Sequence, residues 1–296
     1  MGVLKSLAAR YRHSPFFKWV TNSSLAAALV SLAIHLAYTR LTVLFEPEQI
    51  YKGSFITQLG ESRCELLPDK GSRVCLNTDS EVRYRFNEAT RNLEVLRGEI
   101  SFEVLKDRRS FDVMAGRVLV HDVSTGFIVR RKPHSIRVTV TDGRVRVIAP
   151  VDTDLHSHFE QGSVDSAWKT APELRKFQQT EFNEVTGQWH ALPELTERQL
   201  QRLTAWEDGR IDLHDRTLRE SLDELARYQT LPTFQCSVAT GNTRLDGEFV
   251  FSDLDGLLEG LDFQFHIHHT TAVSGATTVI TLTRSSDKRS EIQPRC

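Results

Sequence analysis

The stretch Arg63-Cys-Glu-Leu-Leu-Pro-Asp-Lys-Gly-Ser-Arg-Val-Cys-Leu76 decides the fold of the central part of this chain. Pro68, Asp69 and Gly71 are turn residues, because they fix φ, cap the backbone with a side chain and tolerate positive φ, respectively. On either side of them apolar residues alternate with polar ones, which is the period of a strand with one buried face. The stretch therefore predicts a β-hairpin.

The same alternation extends from residue 55 to residue 148, in short runs separated by glycines. Short strands at this spacing are typical of an all-β unit, either a sandwich or an irregular barrel. Beyond the hairpin, the predicted strands are 82–86, 93–96, 100–104, 111–113, 118–120, 127–129, 136–140 and 145–148.

The register of the hairpin places two cysteines opposite each other. If residues 68–71 form the loop, Leu67 pairs with Ser72 and Cys64 lies opposite Cys75. Cross-strand neighbours at a non-hydrogen-bonded position are close enough for a disulfide. We predict a Cys64–Cys75 bridge, with Cys236 and Cys296 free. The alternative is that Cys64 and Cys75 are two half-buried residues that never oxidise.

The composition excludes some classes of protein. A chain of 296 residues has room for two small domains and a linker. A formal charge of −2 argues against nucleic-acid binding, which calls for a strongly basic surface. The four cysteines contain no C-x-x-C and no zinc-ligand spacing.

The N-terminus predicts a membrane anchor. Residues 1–19 form a basic tail without acidic residues, and residues 20–45 are mostly apolar. A single transmembrane segment needs about 20 such residues, and the positive-inside tendency places the basic tail in the cytoplasm. A cleaved signal peptide is the alternative, although no Ala-x-Ala pattern follows the apolar run. In either case the rest of the chain is exported.

A known family shares many residues of the β unit in the same order. They are Gly60-Glu61, Leu67-Pro68-Asp69, Gly71-Ser72, Leu76-Asn77, Ser80, Arg91, Leu96-Arg97-Gly98-Glu99, Phe102-Glu103-Val104, Phe111-Asp112-Val113, Thr125, Phe127, Val138-Thr139-Val140 and Gly143-Arg144-Val145. In these residues the chain resembles the periplasmic domain of FecR-type regulators, inner-membrane components of bacterial cell-surface signalling. The resemblance implies an all-β FecR-like domain over residues 46–150.

Residues 151–203 read as a linker with a short hairpin and a helix that the capping box Thr196–Gln199 begins. A second domain follows at residues 204–285, and residues 286–296 form a tail. In this domain strands are predicted at 211–213, 233–238, 243–251, 263–268 and 277–283. Helices are predicted from the capping box Thr217–Glu220 and from Ser252.

This β-α-β, β-α-β order resembles the secretin/TonB short N-terminal (STN) fold, with which FecR-type proteins end. The residues that carry this resemblance are Trp206, Asp208-Gly209, Leu218, Leu225, Arg227-Tyr228, Leu245, Gly247, Phe249, Leu257 and Leu261. The predicted fold class is therefore a membrane-anchored chain with an all-β periplasmic domain followed by a small α+β domain.

No residue pattern points convincingly to catalysis, to a metal or to another cofactor. His266, His268 and His269 are the best metal candidates, but alternating histidines on a strand are more often exposed to solvent. In some FecR relatives a Gly-Thr pair undergoes self-cleavage. Thr125 stands at the threonine position here, but Ser124 replaces the glycine and restricts the backbone that such a reaction needs. We therefore do not expect an enzyme.

The resemblance implies a signalling subunit of the kind that regulates iron transport. Its STN-like domain would receive a signal from an outer-membrane TonB-dependent transducer, and the anchor would relay it to an ECF-type sigma factor. Family members carry an anti-sigma helical domain before the anchor, but residues 1–19 cannot bury a core. A separate anti-sigma chain is therefore the alternative partner. The alternative function is a structural or assembly module of an envelope complex.

The candidate partner contact is the predicted strand that contains Leu245, Phe249, Val250 and Phe251, because short strands leave edges that another chain can extend. Alternation puts Val250 on the face opposite Phe249 and Phe251. The alternative is a core strand buried against the two helices.

Overall fold

The computed structural model describes residues 28, 31–32, 34–36, 50–69, 71–122, 126–149, 167–274 and 277–296. Residues 1–49 and residues 50–296 form two separate units. The described residues before residue 50 are helical and exposed. Among the described residues, no helix is long and apolar enough to cross a bilayer. Most of the predicted segment 20–45 lies outside these residues.

Thirteen strands of the described chain belong to the first domain. They are β1 (Tyr51–Ile56), β2 (Arg63–Leu66), β3 (Arg73–Leu76), β4 (Glu81–Phe86), β5 (Thr90–Glu103), β6 (Ser110–Ala115), β7 (Val118–Asp122), β8 (Gly126–Lys132), β9 (Ser135–Asp142), β10 (Arg144–Ile148), β11 (Glu173–Arg175), β12 (Gln179–Asn183) and β13 (Gln188–Ala191). A short 3-10 helix, Ala167–Lys169, precedes β11.

These strands form two sheets that share β5. The first sheet has the order β1-β4-β5-β6-β7-β10-β11, and the second has the order β2-β3-β5-β8-β9-β12-β13. Neighbouring strands are antiparallel, except that β5 and β6 run parallel. Apolar side chains from both sheets form one core. Of the two predicted architectures, the structure is therefore the sandwich.

β5 passes from one sheet to the other through a bulge. Val82 pairs with Val95 while its neighbour Glu81 pairs with Arg97, so Leu96 is an extra residue. A bulge of this kind bends a strand and increases its twist. The sequence predicted two strands here, at 93–96 and 100–104, but the structure has one strand of 14 residues.

Gly98 makes this bend sterically feasible. Its φ is +85°, and a Cβ at this position would lie 2.1 Å from the hydroxyl oxygen of Ser80. After the bulge the side chains that face the core change parity, from Leu93 in the first sheet to Ile100 and Phe102 in the second. Glu99 consequently points away from the core of the sandwich.

The quoted hairpin has the register that the sequence predicts. Leu67 N donates to Ser72 O at 2.9 Å, and Cys64 pairs with Cys75 across β2 and β3. The structure joins these two cysteines in a disulfide.

A second disulfide joins Cys236 to Cys296, so the expectation that these two cysteines are free is wrong. No sequence pattern pairs them, because 60 residues separate them. The chain brings Cys296 back onto β15 (Thr233–Ser237), where its amide donates to Phe234 O at 2.7 Å. This bridge fixes the predicted tail to the second domain.

One buried ion pair holds the turn of the hairpin. Asp69 accepts hydrogen bonds from the Ser72 hydroxyl at 2.5 Å and from Arg91 Nη1 at 2.8 Å. Ser72 Oγ in turn accepts from Leu105 N at 2.9 Å, and the Arg91 guanidinium lies over the Phe111 ring. Arg91 also donates to the carbonyl oxygens of Leu105 and Arg109, so the contacts of Asp69, Ser72 and Arg91 attach the hairpin to both ends of the β5–β6 connection.

The segment that the sequence placed in a linker contributes three strands to the sandwich. β11 pairs with β10 in the first sheet, and β12 pairs with β9 and β13 in the second. Phe182 of β12 enters the core. The sequence showed only a hairpin here, because the partners of such short strands are far away in the chain.

The elements after residue 196 make up the second domain. Its helices are α1 (Glu197–Thr204), α2 (Leu218–Leu225), α3 (Val238–Gly241) and α4 (Leu254–Phe265), with 3-10 helices at Ala205–Asp208 and Arg289–Glu291. Its strands are β14 (Arg210–Asp212), β15 (Thr233–Ser237), β16 (Glu248–Val250), β17 (His268–Ser274), β18 (Thr277–Thr283) and β19 (Ile292–Gln293). β14 pairs with β16, and the other strands have the order β17-β18-β15-β19.

Both predicted capping boxes are present, at Thr196 with Gln199 and at Thr217 with Glu220. Three boundaries differ from the prediction. The predicted strand at 243–251 is reduced to β16, the predicted cap Ser252 is replaced by Asp253, and α4 continues through the predicted strand start at Phe263. Leu257, Leu258 and Leu261 lie on the buried face of α4, and this helical periodicity prevails over the β propensity of the aromatic residues that follow.

We predict that Asp69→Asn destabilises the chain by about 3–5 kcal/mol, because it leaves the buried guanidinium of Arg91 without its carboxylate. Urea unfolding at neutral pH measures this loss. Asp107→Asn is the matched control: Asp107 pairs with Arg109 at a more exposed site, where a pair contributes at most about 1 kcal/mol. Equal losses in the two variants would contradict the role of the buried Asp69–Arg91 pair in holding the hairpin.

The same pair has a pH signature. Burial alone would raise the pKa of Asp69, but hydrogen bonds from Ser72 and Arg91 lower it below the ordinary value. Stability from Asp69 is therefore fully present above the carboxyl's ordinary pKa and is lost as the pH falls through the lower pKa of the folded state. The difference in the free energy of unfolding between the wild type and Asp69→Asn should therefore shrink as the pH falls through this acidic range.

Candidate functional site

The outer face of the second sheet carries polar side chains that the second domain covers. Alternation along β5 puts Glu99, Ser101 and Glu103 on this face. Glu99 and Ser101 are each only 5% exposed, whereas Glu103 is exposed. Because a buried carboxylate is costly unless it is paired, the partner of Glu99 identifies the important contact.

That partner comes from the second domain. Glu99 Oε2 lies 2.6 Å from Arg227 Nη2, just after α2, and accepts a hydrogen bond from Asn77 Nδ2 at 2.9 Å. The Asn77 amide also donates to the hydroxyl of Tyr228 at 3.1 Å. We call the contacts among Asn77, Thr78, Glu99, Arg227 and Tyr228 the domain junction.

The ion pair of the junction continues into the second domain. Arg227 also contacts Glu224, whose carboxylate lies 3.1 Å from Arg216. Burial alone would lower the pKa of Arg227, but the carboxylates of Glu99 and Glu224 raise it above the ordinary value. Burial raises the pKa of the Tyr228 hydroxyl to about 12. At neutral pH Tyr228 is therefore a neutral hydroxyl beside the ion pairs of Arg227.

The backbones of the two domains also meet closely at the junction. Thr78 Oγ1 donates to the carbonyl oxygen of Arg227 at 3.1 Å and accepts from Gly60 N at 2.9 Å. Gly60 has a φ of +81°, and a Cβ there would lie 2.6 Å from the carbonyl oxygen of Tyr228. Only glycine permits this approach.

The 3-10 helix Ala205–Asp208 makes a further contact between the domains. Glu207 lies 3.4 Å from Arg73 and accepts a hydrogen bond from Ser101. Burial raises the pKa of Glu207 above its ordinary value. The Cys64–Cys75 bridge packs against the apolar core of the second domain, which includes Trp206.

The predicted partner residues lie in and around β16, next to the domain junction. Leu245 and Phe251 are buried, Phe249 is partly buried, and Val250 is 50% exposed. The predicted alternation is thus present, although the strand is short. The ring of Phe251 stacks on that of Tyr228 with centroids 4.4 Å apart, which connects this segment to the junction.

The remaining candidate residues do not assemble into a site in the described chain. Ser124 and Thr125 lie outside the described residues. His266 ends α4 with a φ of +53°, and His268 pairs with Asp262 at 2.7 Å. Within the residues that the structure describes, no three histidine, cysteine or acidic side chains are grouped as metal ligands are.

Comparison with known proteins agrees with this architecture. Residues 56–146 match the family described as FecR protein. Two crystal structures of a proposed anti-sigma factor from Parabacteroides distasonis superpose on the chain with a TM-score of 0.52 at 21% identity. They cover 80% and 79% of this chain and all of the other. At this identity the likeness establishes the fold alone. None of the curated proteins matches the chain.

The sequence did not identify the junction as a site. Gly60, Asn77 and Glu99 stood in one family resemblance, and Arg227 and Tyr228 stood in the other. A usable signal was the polar face of β5, where a carboxylate and a serine alternate with core residues. The sequence could not show that another domain buries this face.

We predict that Glu99→Gln loosens the junction, because Gln can still accept from Asn77 but cannot pair with Arg227. The expected loss is about 2–3 kcal/mol, below that of an isolated buried pair because Arg227 keeps Glu224. Hydrogen exchange should rise in α2 and in β3, while the sandwich core stays protected.

Glu103→Gln is the matched control for this experiment. Glu103 lies on the same strand and face, but its pair with Arg73 is exposed. Its removal should change exchange little. Equal effects of the two substitutions, or no effect of Glu99→Gln, would remove the special role of the buried pair.

Proposed function

We propose that this chain is a regulatory, non-enzymatic subunit of a FecR-type cell-surface signalling system. In this proposal residues 20–45 anchor it in the bacterial inner membrane, residues 1–19 lie in the cytoplasm, and the two domains lie in the periplasm. Its input partner is the periplasmic domain of a TonB-dependent transducer. Its output reaches an ECF-type sigma factor, directly or through a separate anti-sigma chain.

The observation that carries this proposal is the match of residues 56–146 to the FecR protein family. The likeness of the fold to a proposed anti-sigma factor is consistent with a regulatory role. The two disulfides suit an oxidising compartment such as the periplasm.

The domain junction supplies a physical route for a signal. A partner that extends β16 would contact Val250 and displace its neighbour Phe251, which stacks on Tyr228. Tyr228 accepts from Asn77, and Asn77 shares the carboxylate of Glu99 with Arg227. Because the charges at this site are paired across the junction, a shift of the second domain must break or re-form these bonds. Such a discrete rearrangement is what a relay requires.

Deleting the gene in its host tests the regulatory role. We expect altered transcription from the promoters of one ECF-type sigma factor, restored by the wild-type gene and by Glu103→Gln but not by Glu99→Gln. Immunoblots must show equal protein amounts. Unchanged transcription together with a defective envelope complex would instead favour the assembly module.

The transducer contact has its own test. Val250→Glu should leave the chain folded but weaken capture of the transducer's periplasmic domain, because it places a charge on the exposed face of β16. Val273→Glu is the matched control, since Val273 is 72% exposed on β17 of the other sheet. Normal capture by a folded Val250→Glu variant would exclude this face, and loss of folding would identify a core strand.

A further inference from the structure

A cleft of about 620 Å³ opens beside the domain junction. Its walls come from the bulge of β5, the turn between β8 and β9, and the residues that follow α2. Two carboxylates line it, those of Asp79 and Glu184, against five cationic side chains. These cations are Arg97, Arg130, Arg131, Lys132 and Arg227.

Three of these cations have partners within the protein. Arg97 pairs with Asp79 at 3.0 Å and with Glu81, and Arg227 belongs to the ion pairs of the junction. Arg131 donates to the carbonyl oxygen of Val95 at 3.0 Å. These side chains shape the cleft: carboxylates compensate the charges of Arg97 and Arg227, and a backbone carbonyl holds Arg131 in place.

Arg130 and Lys132 differ from the other three. Neither side chain forms an ion pair or a hydrogen bond with any residue in the described part of the chain. They are two positions apart on β8, so they project from the same face of the sheet. The charge of Arg130 lowers the pKa of Lys132, and burial lowers that of Arg130 even though Glu99 opposes this effect. Glu224 also offsets part of the charge of Arg130, and Glu181 part of that of Lys132, but neither carboxylate is hydrogen-bonded to these cations. The fold thus places two cations side by side on one strand face without a directly paired carboxylate.

We propose that this cleft binds a phosphate-bearing ligand through Arg130 and Lys132. A phosphate monoester brings close to two negative charges to one point, whereas a carboxylate brings one. The Arg130 guanidinium can bind two phosphate oxygens through its fork, and the Lys132 ammonium acts as a compact point charge. The cleft is also within the range of about 300–1,000 Å³ that is usual for small-molecule sites.

Such a ligand would act on the domain junction. Arg130 and Arg227 line the same cleft, one from each domain, and their like charges oppose each other. A bound anion would offset this repulsion, so ligand binding and formation of the junction contacts stabilise each other. The inference goes beyond the regulatory role, which stands whether or not phosphate binds.

Calorimetric titration of the purified full chain, kept in a nonionic detergent, tests the site. The probes are pyrophosphate, for a soluble ligand, and a short-chain phosphatidic acid, for a lipid headgroup. We expect saturable binding of at least one probe and a higher unfolding temperature in its presence. The double variant Arg130→Gln/Lys132→Gln should bind at least about tenfold more weakly, since it removes both charge-assisted contacts to the phosphate.

The matched control is Lys106→Gln/Arg108→Gln, with the same charge change and spacing on an exposed loop. It should bind like the wild type. If the first double variant does not fold, Lys132→Gln alone, at an exposed position, must still weaken binding. Binding that only the Arg130 and Lys132 substitutions weaken supports the site. The probe that binds, pyrophosphate or the lipid, then shows whether the ligand is a soluble phosphate or a lipid headgroup. Absence of binding to both probes, or equal losses in both double variants, overturns it.

Discussion

The structure depends on a constraint set by Glu99. The bulge at Leu96 and the bend at Gly98 turn this carboxylate out of the sandwich, yet it is almost fully buried. A buried carboxylate needs a cation, and the cation here is Arg227 of the second domain. Separation of the two domains would therefore leave Glu99 without the cation that pairs with it. A buried pair of this kind often adds little net stability over apolar residues, whereas removal of one partner leaves the other charge buried and unpaired.

Two groups of residues from the family resemblance now have distinct physical roles. Asp69, Ser72 and Arg91 hold the hairpin to the sandwich, and their contacts lie entirely within the first domain. Gly60 and Asn77 meet the second domain instead, where their backbone and amide groups reach Tyr228. In this chain, residues that one resemblance brought together thus divide into a set that holds the hairpin and a set that contacts the second domain.

Features that depend on residues close together in the chain could be predicted from the sequence. The turn residues and the alternation around Cys64 and Cys75 were enough to place the hairpin in its register, and the two capping boxes placed the starts of α1 and α2. What it missed depends on distant partners. β11 to β13 are too short to be assigned to a sheet without β9 and β10, and Cys236 meets Cys296 only because the tail folds back. The junction was missed for the same reason, since Glu99 and Arg227 are 128 residues apart.

The central claim is that Glu99 and Arg227 act as one unit across the domain junction. A double-mutant cycle with Glu99→Gln and Arg227→Gln, measured as the free energy of unfolding of the full chain at neutral pH, tests it most directly. We predict a coupling energy of about 1–3 kcal/mol, the range of residues that share one network. The exposed Arg73–Glu103 pair, measured in the same way, should give less than about 1 kcal/mol. Additive losses for Glu99 and Arg227 would show that the two domains are held together by other contacts.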